Sequence, residues 1–320
     1  MDSYHKILSF PQQFSWKPEK EHTAEKEVDA TETIAVCGMG GSALAGDIIR
    51  AWLRKNNIIV HRDFHLPSPL PKLVIAISYS GNTEETLSCA TEAREKNIPI
   101  ITIAAGGKLE AISHETQTPF IKLPANYQPR EALGFMIRAL AEFIAPRHIK
   151  ELEVLAKFNG KASAAKGKKL AEKLFGTIPL IYTSSTLAAL GYNWKIKLNE
   201  TGKNPAFAGI IPEIFHNEMT GFDMGRKTRK LARNFSFVLL EDTDDAPEIK
   251  NRMRVFKKFM ESKGFMVAHE KLAGTSFIER FIRSINLADW TSYFLAHKSG
   301  ADPENVPWVE EFKKLAGRSN

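Results

Sequence analysis

The stretch Ile77-Ser-Tyr-Ser-Gly-Asn-Thr83 places hydroxyls at Ser78, Ser80 and Thr83 directly after the apolar run Leu73-Val-Ile-Ala-Ile77. A turn needs the glycine and the asparagine, but it has no use for three hydroxyls. Asn82, with Glu85 three residues on, fits an N-cap and its capping-box partner, which leaves Ser78, Ser80 and Thr83 unaccounted for. Hydroxyls and helix-start amides at the carboxyl end of a strand form a neutral cradle for a compact dianion such as a phosphate monoester. A second small-residue turn, Gly38-Met-Gly-Gly41-Ser42-Ala43, has the same setting. Its glycines admit a ligand close to the backbone. Its spacing also fits a dinucleotide fingerprint, with Asp63 in the ribose-binding place. A nicotinamide cofactor would not require a second, hydroxyl-lined turn. A sugar phosphate is therefore the better fit, with a dinucleotide the alternative.

These turns need strands and helices to hold them, and the pattern supplies both. Strands are expected at 33–38, 58–61, 73–78 and 98–104, with helices at 41–55, 83–96 and 132–146 between and after them. Near-continuous apolar strands separated by helices indicate a parallel sheet covered on both faces. The second half repeats the theme, with strands at 179–183, 234–240 and 264–269 and helices at 187–200 and 277–298. Pro179-Leu-Ile-Tyr-Thr-Ser-Ser-Thr-Leu-Ala-Ala-Leu shares the strand, small-residue turn and helix logic of the first glycine turn, which suggests two similar α/β domains. The expected boundary lies near residue 150, giving domains 1–150 and 151–320, with residues 1–30 as an N-terminal helix or arm.

Composition narrows the class. The chain has 320 residues, 43% apolar and 25% charged, enough for about two cores. Only Cys37 and Cys89 are present, which suits a reducing cytoplasm rather than a disulfide framework. No signal-peptide pattern opens the chain and no apolar run is long enough to span a membrane, so a cytoplasmic protein is expected. The net charge of +7 is modest. The basic runs at 166–169 and 226–230 lack interleaved aromatics and read as solvated surface, so no nucleic-acid partner is expected.

Taken in order, the S-Y-S-G-N-T loop, the G-M-G-G-S turn, Asn199-Glu-Thr-Gly-Lys-Asn204 and Pro212-Glu-Ile-Phe-His-Asn-Glu218 carry a resemblance. The chain resembles the bifunctional phosphoglucose/phosphomannose isomerases, built from tandem sugar isomerase (SIS) domains within the phosphoglucose isomerase superfamily. The resemblance implies an aldose–ketose isomerase that moves one proton between neighbouring carbons through an enediolate, without redox cofactor or metal. It implies Glu200 as the base, Arg130 as the cation beside the enediolate, and His216 and Lys298 as ring-opening groups. His216 would reach the site from the neighbouring subunit of a homodimer. Gly41, Ser42, Ser78, Ser80 and Thr83 would bind substrate. Thr291 would leave room for substrate rotation, so that mannose 6-phosphate is used as well as glucose 6-phosphate.

The residues have plainer readings too. Glu200 ends a helix, with Gly202 as an expected C-cap, and could be an exposed terminal Glu. Arg130 beside Pro129 could open a helix at the surface. Lys298 could merely complement a helix dipole. Thr291 and Lys298 are seven residues apart and should face one way, about 10 Å apart along a helix. His61 and His65 have a metal-compatible spacing, but Pro67, Pro69 and Pro71 argue against the helix that would present them. Two rivals are an amidotransferase-type synthase without its glutaminase half and a non-catalytic SIS regulator. The first would need an N-terminal Cys where Met-Asp-Ser stands. The second would need a helix-turn-helix module, for which the first 30 residues are too short.

Overall fold

The computed structural model describes residues 2–22 and 31–316. These form two compact units, one spanning Leu8–Gly160 and the other running from Lys161 onward together with the residues before Leu8. The chain opens with helix α1 (Ser3–Leu8) and a 3-10 turn, Phe10–Ser15. Strand β1 (Lys20–Glu21) pairs antiparallel with β6 (Phe120–Lys122), and the rest of the first sheet is parallel. Its order is β1-β6-β5-β4-β2-β3, with β2 at Ile34–Cys37, β3 at Ile58–His61, β4 at Leu73–Ile77 and β5 at Ile100–Ala104. Every residue of β2, β4 and β5 is buried, as expected of strands covered on both faces. The cover comes from α2 (Gly40–Leu53), α3 (Glu84–Glu95), α4 (Gly107–Thr116) and α5 (Leu133–Ile144), with α6 (Ile149–Leu155) packed on α5.

Strand order reverses between β2 and β4, whose carboxyl ends therefore form the crevice where open α/β sheets take ligands. The glycine turn follows β2 and the hydroxyl turn follows β4, so sheet topology brings the two turns together.

The second unit carries a four-stranded parallel sheet, β10-β9-β7-β8. Its strands are β7 (Ile178–Ser184), β8 (Phe207–Ile211), β9 (Phe235–Glu241) and β10 (Val267–Lys271). Its helices are α7 (Ala164–Leu174), α8 (Ala188–Glu200), the short α9 (Arg229–Ala232), α10 (Pro247–Ser262), α11 (Phe277–Ser299) and α12 (Pro307–Ala316). Tyr182, Phe237, Phe256, Met253 and Met260 fill one face of this sheet.

The domain boundary falls later than residue 150. Helix α6 packs on α5 and on the Phe10–Ser15 turn, which keeps it in the first unit. The expected N-terminal arm is not one element either. Tyr4 packs edge-on against Trp290 at 5.0 Å, and Asn286 donates to the Ile7 carbonyl at 3.3 Å, which ties the opening residues to the second unit. Residues 23–30 of that arm lie outside the described residues.

Candidate functional site

In the first unit the three hydroxyls converge. Ser78 Oγ lies 2.8 Å from Thr83 Oγ1 and 3.4 Å from Ser80 Oγ, and it accepts from the Gly81 amide at 3.1 Å. The Asn82 amide donates to Ser80 Oγ at 3.3 Å. The turn is closed by Gly81 at φ 69°, where an added Cβ would stand 1.7 Å from the Gly106 carbonyl oxygen, so only glycine fits. Asn82 does not cap its own helix. The N-cap of α3 is Thr83, without a side-chain cap, while Asn82 Oδ1 accepts from the Lys108 amide at the start of α4 at 3.1 Å. The left-handed Gly81 carries Asn82 over to α4, which leaves the α3 start without a side-chain cap.

The two turns are stitched together. Ser42, buried on the first turn of α2, accepts from the Tyr79 amide at 3.2 Å. Tyr79 then donates its hydroxyl proton to the Pro124 carbonyl at 2.8 Å and accepts from the Tyr127 amide at 2.9 Å. Burial is the main cause that pushes the Tyr79 phenol above its ordinary pKa, so the group stays protonated and able to donate. This fixes the loop that carries Arg130. Arg130 is buried in a 3-10 turn, Pro129–Glu131, which has a capping box between Gln128 and Glu131. That turn rests on Gly41, where a Cβ would come within 3.1 Å of the Pro129 carbonyl oxygen. The six expected groups of this unit, Gly41, Ser42, Ser78, Ser80, Thr83 and Arg130, thus lie in the two turns or are linked to them directly or through Tyr79. Ser80 stands at the exposed lip.

In the second unit Glu200 is half-buried at the end of α8. Its surroundings are held by the rest of the N-E-T-G-K-N motif. Asn199 Oδ1 accepts from the Ala206 amide at 2.8 Å, and Asn204 Nδ2 donates to the Thr177 carbonyl at 3.0 Å. The left-handed residue after the helix is Lys203, at φ 51°, rather than the expected Gly202. Gly202 instead supplies close approach, since a Cβ there would lie 2.7 Å from the Leu198 carbonyl oxygen. Lys203 Nζ reaches back to the Glu200 carbonyl at 2.5 Å. One turn earlier, Lys197 and Asp289 form a buried ion pair at 2.6 Å that locks α8 to α11.

His216 is exposed, at the end of a 3-10 turn, Glu213–Phe215. Its loop is fixed on both sides. Ile214 is sunk in the core, and Tyr182 donates to Glu218 Oε2 at 2.9 Å. Burial, reinforced by Glu218, drives the Tyr182 phenol far above its ordinary pKa.

Lys298 is exposed, its ammonium 5.0 Å from the Phe175 ring centroid. Thr291 departs from expectation. It is fully buried, and its hydroxyl donates to the Leu287 carbonyl of its own helix at 2.7 Å. Helix α7 seals that stretch, because a Cβ at Gly167 would fall 3.0 Å from the Thr291 amide nitrogen. Within this unit Thr291 therefore does not line an open surface.

The Ser184 turn does not repeat the hydroxyl cradle. The carboxyl ends of β7 and β9 are filled by acidic side chains. Arg280 pairs with Asp242 at 2.5 Å and Asp244 at 2.6 Å, and Asp245 Oδ2 accepts from the Asp242 amide at 2.7 Å. Burial raises the Asp245 pKa, and the neighbouring Asp242 and Glu241 charges add to the rise. An anion would meet carboxylates there.

The chain is 33% identical to a bifunctional phosphoglucose/phosphomannose isomerase of Aquifex aeolicus over 98% of both chains. This chain belongs to the bifunctional phosphoglucose/phosphomannose isomerase family. A relative of the same description from Caldicellulosiruptor bescii is 30% identical over 98% of each chain. The family profile described as the bacterial phospho-glucose isomerase C-terminal SIS domain matches residues 163–315. Among solved structures, a phosphosugar isomerase assignment from Clostridium difficile 630 superposes with TM-score 0.67, 14% identity and 98% coverage of both chains, a likeness of fold. The second unit is accordingly an SIS domain, the first shares an α/β fold with that structure, and no described helix is long and apolar enough to cross a membrane.

Sequence reasoning singled out the two turns and the N-E-T-G-K-N motif. It missed Tyr79, Asn199, Asn204 and the Tyr182–Glu218 pair, which hold those motifs in place. The signal for the first three was their position inside the motifs. Tyr182 offered none, being one aromatic in an apolar strand.

Proposed function

We propose that this enzyme interconverts glucose 6-phosphate and mannose 6-phosphate with fructose 6-phosphate. The substrate phosphate is taken by Ser42, Ser78, Ser80 and Thr83 together with the amides that open α3. Glu200 removes the C2 proton of the open-chain aldose as the C2–H electron pair forms the C1–C2 double bond of the enediolate; the same carboxyl returns the proton to C1 while the O2 proton passes to O1, which gives the ketose. Arg130 balances the negative charge that develops on the enediolate oxygens. Lys298 and His216 pass protons to and from the ring oxygen and the anomeric hydroxyl. Reprotonation of C2 on one face or the other gives glucose or mannose. The use of both epimers rests on the descriptions of the relatives, since Thr291 is buried and its hydroxyl engaged. No step requires a metal ion.

The observation that carries this reading is the convergence of Ser78, Ser80 and Thr83 at a sheet switch point, with Ser42 and the Arg130 turn braced against it. We assign a homodimer with His216 supplied in trans. The support is an edge strand, β8, that leaves Phe207 and Ile210 exposed and leads directly to the His216 turn. A coupled assay with each aldose phosphate in excess chelator tests the function. Turnover of both is expected, and failure with both would remove the reading.

A further inference from the structure

Strand β1 lies at the far edge of the first sheet, separated from the hydroxyl turn on β4 by β6 and β5. Alternation along the strand sends Lys20 to Glu142, 3.0 Å away on α5, and Glu21 to the opposite face. There Glu21 Oε2 stands 3.0 Å from His114 Nε2 in the last turn of α4. A continued strand would turn His22 to the Lys20 side. Instead His22 adopts a left-handed backbone, φ 50°, and its ring stands 5.6 Å from that of His114, edge to face. One donor atom from each of Glu21, His22 and His114 falls within 4.8 Å of the others, the one such three-residue set among the described residues.

A carboxylate–imidazole hydrogen bond accounts for Glu21 and His114. It gives no reason for a second imidazole at the same point on a backbone that non-glycine residues seldom adopt. Two imidazole nitrogens and a carboxylate oxygen match the donor preference of borderline divalent ions, zinc above all. Donors bound at about 2.1 Å in a tetrahedron stand about 3.4 Å apart; here Glu21 and His114 stand 3.0 Å apart and all three donors lie within 4.8 Å. The competing cation on β6, Lys122, is engaged by Glu110 at 2.7 Å.

We propose that Glu21, His22 and His114 bind one zinc-class divalent ion, with water in the remaining position, and that the ion clamps β1 to α4 across 93 residues of sequence. The site is apart from the reaction chemistry and serves the edge of the sheet.

Full-length protein stripped with chelator and titrated calorimetrically with zinc chloride tests this. One ion per chain should bind at roughly micromolar affinity, and His22→Ala, His114→Ala and Glu21→Gln should each weaken it about tenfold or more. His148→Ala removes a comparable exposed imidazole, 2.7 Å from Glu151, and should change nothing. Zinc should raise the melting temperature of the parent protein and not that of His22→Ala. In chelator the two should melt alike, and Glu21→Gln, the mildest change, decides if His22→Ala folds poorly. Binding that survives both histidine substitutions, or no binding at about 100 μM zinc, overturns the proposal.

Discussion

Ser80 is the one cradle hydroxyl at the exposed lip, while Ser78 is buried and committed to Thr83 and the Gly81 amide. Removing the Ser80 hydroxyl should therefore cost substrate phosphate binding without disturbing the fold. Ser80→Ala is expected to raise KM about tenfold for either aldose phosphate, the worth of one hydrogen bond to a charged group. The melting temperature should move little. Steady-state kinetics and a thermal melt check both; an unchanged KM would take Ser80 out of the cradle.

At the scale of elements, α11 shows how a single terminus is built. Ser276 accepts from the Glu279 amide at 3.3 Å, and Glu279 Oε2 accepts from Thr275 N and Oγ1 at 2.8 and 2.7 Å. The Thr275 amide, first among these donors, and then its hydroxyl hold the Glu279 carboxyl down to about 2, with Arg283 contributing. A depressed carboxylate stabilises the folded chain fully above its unfolded pKa of about 4.3, and that contribution is lost as pH falls toward 2. Glu279→Gln should thus lower the melting temperature at pH 7, and the gap to the parent protein should close on acidification through that window. A gap that stays constant down to pH 2 would show that the charge of Glu279 is not what holds the terminus.

The elements also show what was legible. The strands β2, β4 and β5 could be read because burial on both faces leaves uninterrupted apolar runs. Helix α10 was missed because only Met253, Phe256 and Met260 of its sixteen residues are buried, so its apolar stripe is thin. Strand β8 was missed for the opposite reason, its apolar residues facing outward at the sheet edge. Asn82 was misassigned as a cap because sequence spacing cannot register the left-handed Gly81 that turns it toward α4. Thr291 and Lys298 share helix α11, but spacing does not say which neighbour covers a residue, and α7 covers Thr291 while Lys298 is exposed.

For the whole molecule, the assignment of His216 in trans has a clean consequence. Glu200→Gln and His216→Ala homodimers should each be nearly inactive. Mixed and exchanged in equal amounts, half the dimers become heterodimers, each with one site made of two intact groups, so about a quarter of parental activity should return. No recovery after verified subunit exchange would place both groups in one chain.

The central claim is that Glu200 carries the proton between C1 and C2. It is tested by NMR in deuterium oxide, following loss of the C2 proton of glucose 6-phosphate with the parent enzyme and with Glu200→Gln. The parent should wash the proton out during turnover. The variant should slow exchange by about a thousandfold while binding substrate almost as tightly. Exchange at the parental rate in Glu200→Gln would contradict the account and assign the base elsewhere.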